Sequence, residues 1–198
     1  MKLLLASSSP FRRDLLTRLK IPFETASPDI DESTTLGESP DHYVKRLSIS
    51  KAQALREQYP KHWIIGSDQC CVIEDEIIGK PHTPERAINQ LERSSGRNVT
   101  FHTGLCLLAP DGLLQARVEH YTVHFRDLSL TEIKNYVLLE QPLNCAGSFK
   151  LEGLGVNLFR SLEGKDPNTL IGLPLISLLE MMRQAGLNPL EIALTSQE

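Results

Sequence analysis

No apolar run in this chain reaches the ~18 residues needed to span a bilayer, and the opening "MKLLLASSSP" has an apolar stretch too short for a secretory signal. The expectation is a cytoplasmic protein with no membrane partner. Positive charge is also scarce. With 21 Lys and Arg against 25 Asp and Glu, the net charge is −4, where a surface that holds a nucleic-acid backbone wants a basic stripe. An anionic ligand must therefore meet locally placed cations. Cys70, Cys71, Cys106 and Cys145 form no CxxC pair, and the first two face opposite ways in an extended chain. They read as ordinary buried thiols in preference to a zinc site or a nucleophile. A Walker A loop and a GxGxxG turn are both missing, which sets aside P-loop and dinucleotide proteins. No internal repeat, low-complexity tract or linker divides the chain. His102, His120 and His124 read as strand residues with no assigned role.

What is present is 198 residues at 40% hydrophobic, enough to bury one substantial core. The reading is a single domain over 1–198, with two lobes. "KLLLA" fits a buried strand, and the serine-then-proline order of "SSSPFRRDLLTRL" fits a helix start with Ser9 as cap and Pro10 first. Phe11, Leu15, Leu16 and Leu19 recur at helical spacing, so that helix lays one face on a sheet. "PFETASPDIDEST" reads as an extended piece running into an acidic loop. "SPDHYVKRLSISKAQALREQ" is a second helix whose inward stripe is Val44, Leu47 and Leu55, with Lys51 on the same stripe. A lysine there either snorkels to the rim or finds an anion.

The central stretch "WIIGSDQCCVIEDEIIGKP" begins as a strand covered on both faces, with Asp68 expected where that strand runs out. "CCVI" and "IIG" flank "EDE" as a hairpin with a three-residue turn. Pairing Ile73 with Ile77 brings Lys80 beside Gln69 and Asp68. "TPERAINQLERSSG" is a third helix, capped by Thr83, opened by Pro84 and stopped by Gly96. Two long strands follow around "PDG", then a helix with a Ser129/Glu132 capping box. "NCAGSFKLEGLGVNLF" and "DPNTLIGLP" read as strand and loop material, and "LPLISLLEMMRQAG" as the closing helix.

Arg12, Lys51 and Lys80, one helix N-terminus and the carboxylates Asp31, Glu32, Asp68 and Glu152 recur at loop or strand-end positions. That mix suits a polyphosphate carrying a divalent metal: cations and N–H groups hold phosphate oxygens, and carboxylates hold the metal and activate water.

"LASSSPFRRDLL", "DIDES", "SKAQA", "GSDQ", "GKP", "AGSFKLEG" and "GLP" follow one another in the order and spacing of the Maf family. The chain resembles these nucleotide pyrophosphatases, also described as septum-formation inhibitors, from Lys2 to about Gly186. The resemblance implies an elongated α/β fold of the Maf/ITPase-like kind: a mixed twisted sheet flanked by helices, in two lobes with a central cleft. It also implies metal-dependent hydrolysis of a nucleoside triphosphate to monophosphate and pyrophosphate. Magnesium, manganese or cobalt would be the divalent cation, and a small-molecule nucleotide the partner, with a homodimer left open.

Carried across residue by residue, the resemblance makes Asp68 the base, a metal ligand or both. Ser7, Ser9, Arg12, Lys51 and Lys80 become phosphate binders, and Glu32 a metal ligand with Asp68. Three positions depart from the dTTP/UTP-type pattern: Phe11 before Arg12, Gln69 after the aspartate, and Glu152 in "KLEG". They resemble the branch that hydrolyses 7-methyl-GTP. N7 methylation places positive charge on guanine and favours stacking on an aromatic face such as Phe11, which the helix stripe would otherwise claim as a core residue. Glu152 can accept from the two donors on guanine's Watson–Crick edge. The rival readings are a dTTP/UTP or broad modified-nucleotide pyrophosphatase, and a non-catalytic nucleotide sensor regulating division.

Overall fold

The computed structural model describes residues 1–74 and 76–195. In chain order the elements are β1 (Leu3–Ala6), α1 (Pro10–Thr17), β2 (Glu24–Ala26), α2 (Pro40–Ala54), β3 (Trp63–Ile73), β4 (Glu76–Ile78), α3 (Pro84–Ser94), β5 (Asn98–Leu108), β6 (Leu114–Phe125) and α4 (Leu130–Glu140). Two 3-10 turns, Ala146–Ser148 and Leu154–Leu158, lead into β7 (Phe159–Gly164). The chain continues through α5 (Asn168–Ile171), α6 (Leu175–Gln184) and α7 (Pro189–Thr195). The strands pair in the order β2-β1-β3-β5-β6-β7, with β4 also on β3. β1 runs parallel to β2 and β3, whereas β4 on β3 and β7 on β6 are antiparallel. This is the mixed α/β architecture expected, and no helix among the described residues is long and apolar enough to cross a membrane.

The chain forms two compact units. One contains Met1–Asp68, Thr103–Glu119 and the stretch from Asp166; the other contains Gln69–His102 and His120–Lys165. In the first unit, strand alternation sorts side chains onto two faces. Leu3, Leu5, Ile65, Leu105 and Leu107 pack with Leu15 and Leu16 of α1 and with Leu178, Met181 and Met182 of α6. Leu4, Ala6, Ile64, Cys106 and Leu108 turn the other way, onto Ala52 of α2 and Leu55. Phe11 is half-buried on α1, and Leu15 and Leu16 of the same expected stripe are buried. The second unit is built on an aromatic cluster. Phe149 meets Phe101, Phe125 and Phe159 edge-to-face at centroid distances of 5.3, 5.9 and 4.8 Å.

Local rules place the helix starts. Ser9, Ser39 and Thr83 each accept from the amide three residues on. Ser129 and Glu132 form the reciprocal capping box. Three expectations need correction. "DPNTLIGLP" holds the short helix α5, because buried Asp166 accepts from the Asn168 amide at 2.9 Å and the Ile176 amide at 2.8 Å, pinning both flanks of the turn. α6 does not close the chain, since α7 follows it. The hairpin pairs Ile73 with Glu76, one residue away from the Ile73–Ile77 register expected. Its "EDE" turn contains Asp75, which lies outside the described residues.

Candidate functional site

Asp68 lies inside β3, which continues to Ile73 and does not end at the aspartate as expected. β1 is the strand that ends nearby: its last pair is Ala6 with Gly66, so Ser7 leaves the ladder abreast of the "GSD" segment. Positions 64, 66 and 68 of β3 share one face of the strand, and Ile64 there packs on Ala52 of α2. The helix comes very close there. A Cβ on Gly66 would lie 2.0 Å from the Ser48 carbonyl oxygen, and one on Gly104 would lie 2.1 Å from that of Val44. Two glycines therefore let the backbone of α2 rest directly on the sheet, and Lys51, one turn further on, is delivered to Asp68.

Lys51 Nζ donates to Asp68 Oδ1 at 2.6 Å and pairs with Glu32 Oε1 at 2.8 Å. Lys51 and Asp68 are each only 7% exposed, whereas the Glu32 side chain is 58% exposed. One ammonium thus ties a buried carboxylate to a solvent-facing one. The loop bearing Glu32 is held from α2, with Tyr43 Oη donating to the Glu32 carbonyl at 3.0 Å and Arg46 Nη2 to that of Ser33 at 3.0 Å. Arg46 is itself braced by Glu38, at 2.7 Å from each of two nitrogens. That bidentate contact lowers the Glu38 carboxyl to about 2.

Arg12 and the serines stand at the same end of β1. The Ser9 amide donates to Ser7 Oγ at 3.1 Å, and the Arg12 amide to Ser9 Oγ at 3.4 Å. Arg12 Nε donates to the Gly172 carbonyl at 2.8 Å. Burial pulls the Arg12 pKa down, and the charges of Asp68 and Glu32 oppose that fall. Sequence reasoning missed Ser67, whose buried hydroxyl lies 2.9 Å from the carbonyl oxygens of both Gly104 and Gly172. Gly172 caps α5 at φ 113°, a left-handed conformation that glycine alone adopts at little cost. The "GLP" signal marked the position but not its task, which is to aim a carbonyl at Arg12 and Ser67.

The first unit therefore gathers Asp68, Lys51 and Glu32 by direct contact, with Arg12 near enough to sense both carboxylates. In the second unit, Gln69 is half-buried on β3, and Lys80 is exposed two residues beyond the end of β4. Glu152 is exposed in a turn between the two 3-10 segments. The ammonium seen against Asp68 is that of Lys51; β4 is three residues long and stops before position 80. The four cysteines form no disulfide, and burial raises Cys71, Cys106 and Cys145, the last two to about 12 and about 11. None of those three has the electropositive, accessible setting of a nucleophilic cysteine.

Chemically, cations and a serine-capped helix start beside carboxylates can hold an anion and a cation next to one another. Asp68 and Glu32 offer hard oxygen donors of the kind magnesium or manganese takes, and Lys51 Nζ lies between the two, bonded to each.

Such a donor set on an α/β sheet marks the class of proteins that handle phosphate groups. The chain belongs to the Maf family: the profile described as "Maf-like protein" matches residues 2–185. It is 59% identical to the 7-methyl-GTP pyrophosphatase of Pseudomonas aeruginosa over 93% of this chain and 96% of that protein. Among solved structures it is similar to the Ham1 protein of Staphylococcus aureus, at 16% identity and TM-score 0.45, covering 64% of this chain and 73% of that one. It is similar too to a nucleoside-triphosphatase, a dITP/XTP pyrophosphatase, of Mycobacterium abscessus, at 16% identity and TM-score 0.44, covering 65% and 76%.

Proposed function

We propose that this protein hydrolyses 7-methyl-GTP to 7-methyl-GMP and pyrophosphate. The observation that carries the reading is the 59% identity, over nearly the whole of both chains, to a protein named 7-methyl-GTP pyrophosphatase. The three sequence departures at Phe11, Gln69 and Glu152 point to the same branch.

In this reading water attacks phosphorus, the α–β anhydride bond breaks, and pyrophosphate departs. Asp68 orients the water and takes its proton, held in place by Lys51. Lys51, Arg12 and the Ser7–Ser9 turn neutralise and position the phosphates, which matters more here than covalent help from the protein. Glu32 and Asp68 would hold a divalent cation, which when bound lowers the pKa of water and screens phosphate charge. The roles of Lys80 on phosphate, and of Gln69 and Glu152 on the base, come from the motifs alone. Phe11, half-buried on α1, would stack on a cationic purine. A nucleotide substrate is met inside the cell, so the cytoplasmic assignment is kept.

The deciding measurement is pyrophosphate release from 7-methyl-GTP, GTP, UTP and dTTP in magnesium, manganese and cobalt. 7-Methyl-GTP should lead. A preference for UTP or dTTP would move the protein to the other branch, and tight binding without turnover would make it a sensor. Glu152→Gln should erode the preference for the methylated purine, and unchanged selectivity would remove Glu152 from the account.

A further inference from the structure

Two side chains of α4 grip the loop that carries Glu152. The Lys150 amide donates to Tyr136 Oη at 3.0 Å. Lys150 Nζ donates to the Glu140 carbonyl at 2.8 Å and sits 3.3 Å from Glu140 Oε1. The Leu154 amide donates to Glu140 Oε2 at 2.7 Å. Within the loop, the Gly153 and Gly155 amides both bond the Lys150 carbonyl, at 3.3 and 3.1 Å. Gly153 leaves the space this requires, since a Cβ there would lie 2.5 Å from Glu140 Oε2. Both ends of the short loop are thus fastened to one α4 residue, and Glu152 projects between the two fastenings.

We propose that Glu140 is a positioning residue for nucleotide selectivity: by holding Lys150 and Leu154 it fixes the loop from which Glu152 reads the base. The inference rests on the proposed role of Glu152. A carboxylate discriminates between base edges only if its oxygens are already within hydrogen-bond reach, because geometry off by an ångström forfeits the bond. A loop tied at one end would reorder at each binding event and lose affinity to that cost. The tie to Leu154 is charge-assisted, and the Glu140 side chain is only 15% exposed, so solvent competes weakly for it. Glu140 makes its contacts with the loop and has no part in the bond-breaking step, so it should act on KM and on choice of base more than on kcat.

The test is steady-state hydrolysis of 7-methyl-GTP, GTP and UTP by wild type, Glu140→Ala, Glu140→Gln and Gly153→Ala, with thermal midpoints taken alongside. Glu140→Ala should raise KM for 7-methyl-GTP about tenfold and cut its preference over GTP about tenfold, with kcat within about twofold. Glu140→Gln keeps an acceptor for the Leu154 amide and should stay within about threefold of wild type. Gly153→Ala, which displaces the carboxylate without removing it, should repeat the Glu140→Ala pattern and decides the matter if Glu140→Ala does not fold. A lowered midpoint with an unaltered preference would show a merely structural contact and overturn the proposal. If wild type ignores 7-methyl-GTP but turns over another nucleotide, the substrate reading falls, and the same variants judge Glu140 on that nucleotide. No turnover of any of the three overturns both.

Discussion

Lys51 Nζ lies 2.6 Å from Asp68 Oδ1, and neither side chain is more than a tenth exposed. Removing one partner of such a pair leaves the other buried and uncompensated, a loss usually larger than the net worth of the pair. Lys51→Met should therefore destabilise the protein by about 3 kcal/mol as well as weaken phosphate binding. Asp68→Asn keeps shape and a hydrogen-bonding oxygen for Lys51 but cannot take a proton. With Glu32 still 2.8 Å from Lys51, it should lose less stability than Lys51→Met and lose about 10²–10⁴-fold in kcat. Denaturant midpoints beside kcat separate the two variants, and an active Asp68→Asn protein would remove Asp68 from the chemistry.

The same pair depends on how closely α2 lies to the sheet. With a Cβ on Gly66 only 2.0 Å from the Ser48 carbonyl oxygen, Gly66→Ala must lift the helix or bend the strand. Overpacking of this kind costs about 1–3 kcal/mol. Since α2 carries Lys51, the variant should also lose activity out of proportion to its stability. Gly79→Ala is the control, because a Cβ at that position meets nothing within 4 Å. Equal behaviour of the two variants in a thermal melt would contradict the close-approach account.

What could be read from the sequence was what local chemistry decides. Ser9, Thr83 and the Ser129/Glu132 box cap their helices through hydrogen bonds spanning three residues, so neighbours in sequence suffice. Lys51 also betrayed itself, as a charge on an otherwise apolar stripe. Asp68 was misplaced because a buried strand was not expected to run through a carboxylate, and the ammonium that makes this tolerable comes from 17 residues away. Gly172 was noticed only as part of "GLP", since its partners Arg12 and Ser67 lie far along the chain. Glu140 gave no signal at all: a glutamate at a helix end becomes informative only when the loop it holds is seen folded against it.

Ser67 gives a sharper test of the second face of β3. Its hydroxyl serves the carbonyls of Gly104 and Gly172, and the Gly172 oxygen also receives Arg12 Nε. Ser67→Ala removes a buried donor at little cost in volume, leaving the Gly104 acceptor short, and should destabilise by about 1–3 kcal/mol. Arg12 would keep its own bond to Gly172, so KM for the nucleotide should change less than for Arg12→Ala. The reverse order of KM effects would place Ser67, not Arg12, against the substrate.

The α4 cap predicts a pH dependence. Glu132 accepts from the Ser129 amide at 2.9 Å and its hydroxyl at 2.8 Å, and pairs with Arg126 at 3.0 Å. Its carboxyl is lowered from 4.5 to about 2, first by the backbone hydrogen bond of Ser129, then by the hydroxyl and Arg126. A carboxyl lowered on folding contributes its stability fully above the unfolded value near 4.5, and loses it as pH falls toward about 2. Glu132→Gln should thus narrow the gap in stability between pH 6 and pH 3 relative to wild type. The carboxyl carbon of Glu132, followed by NMR, should titrate well below the ordinary glutamate value of 4.5. A midpoint for Glu132 at the ordinary 4.5 would show that the capping box does not form in solution.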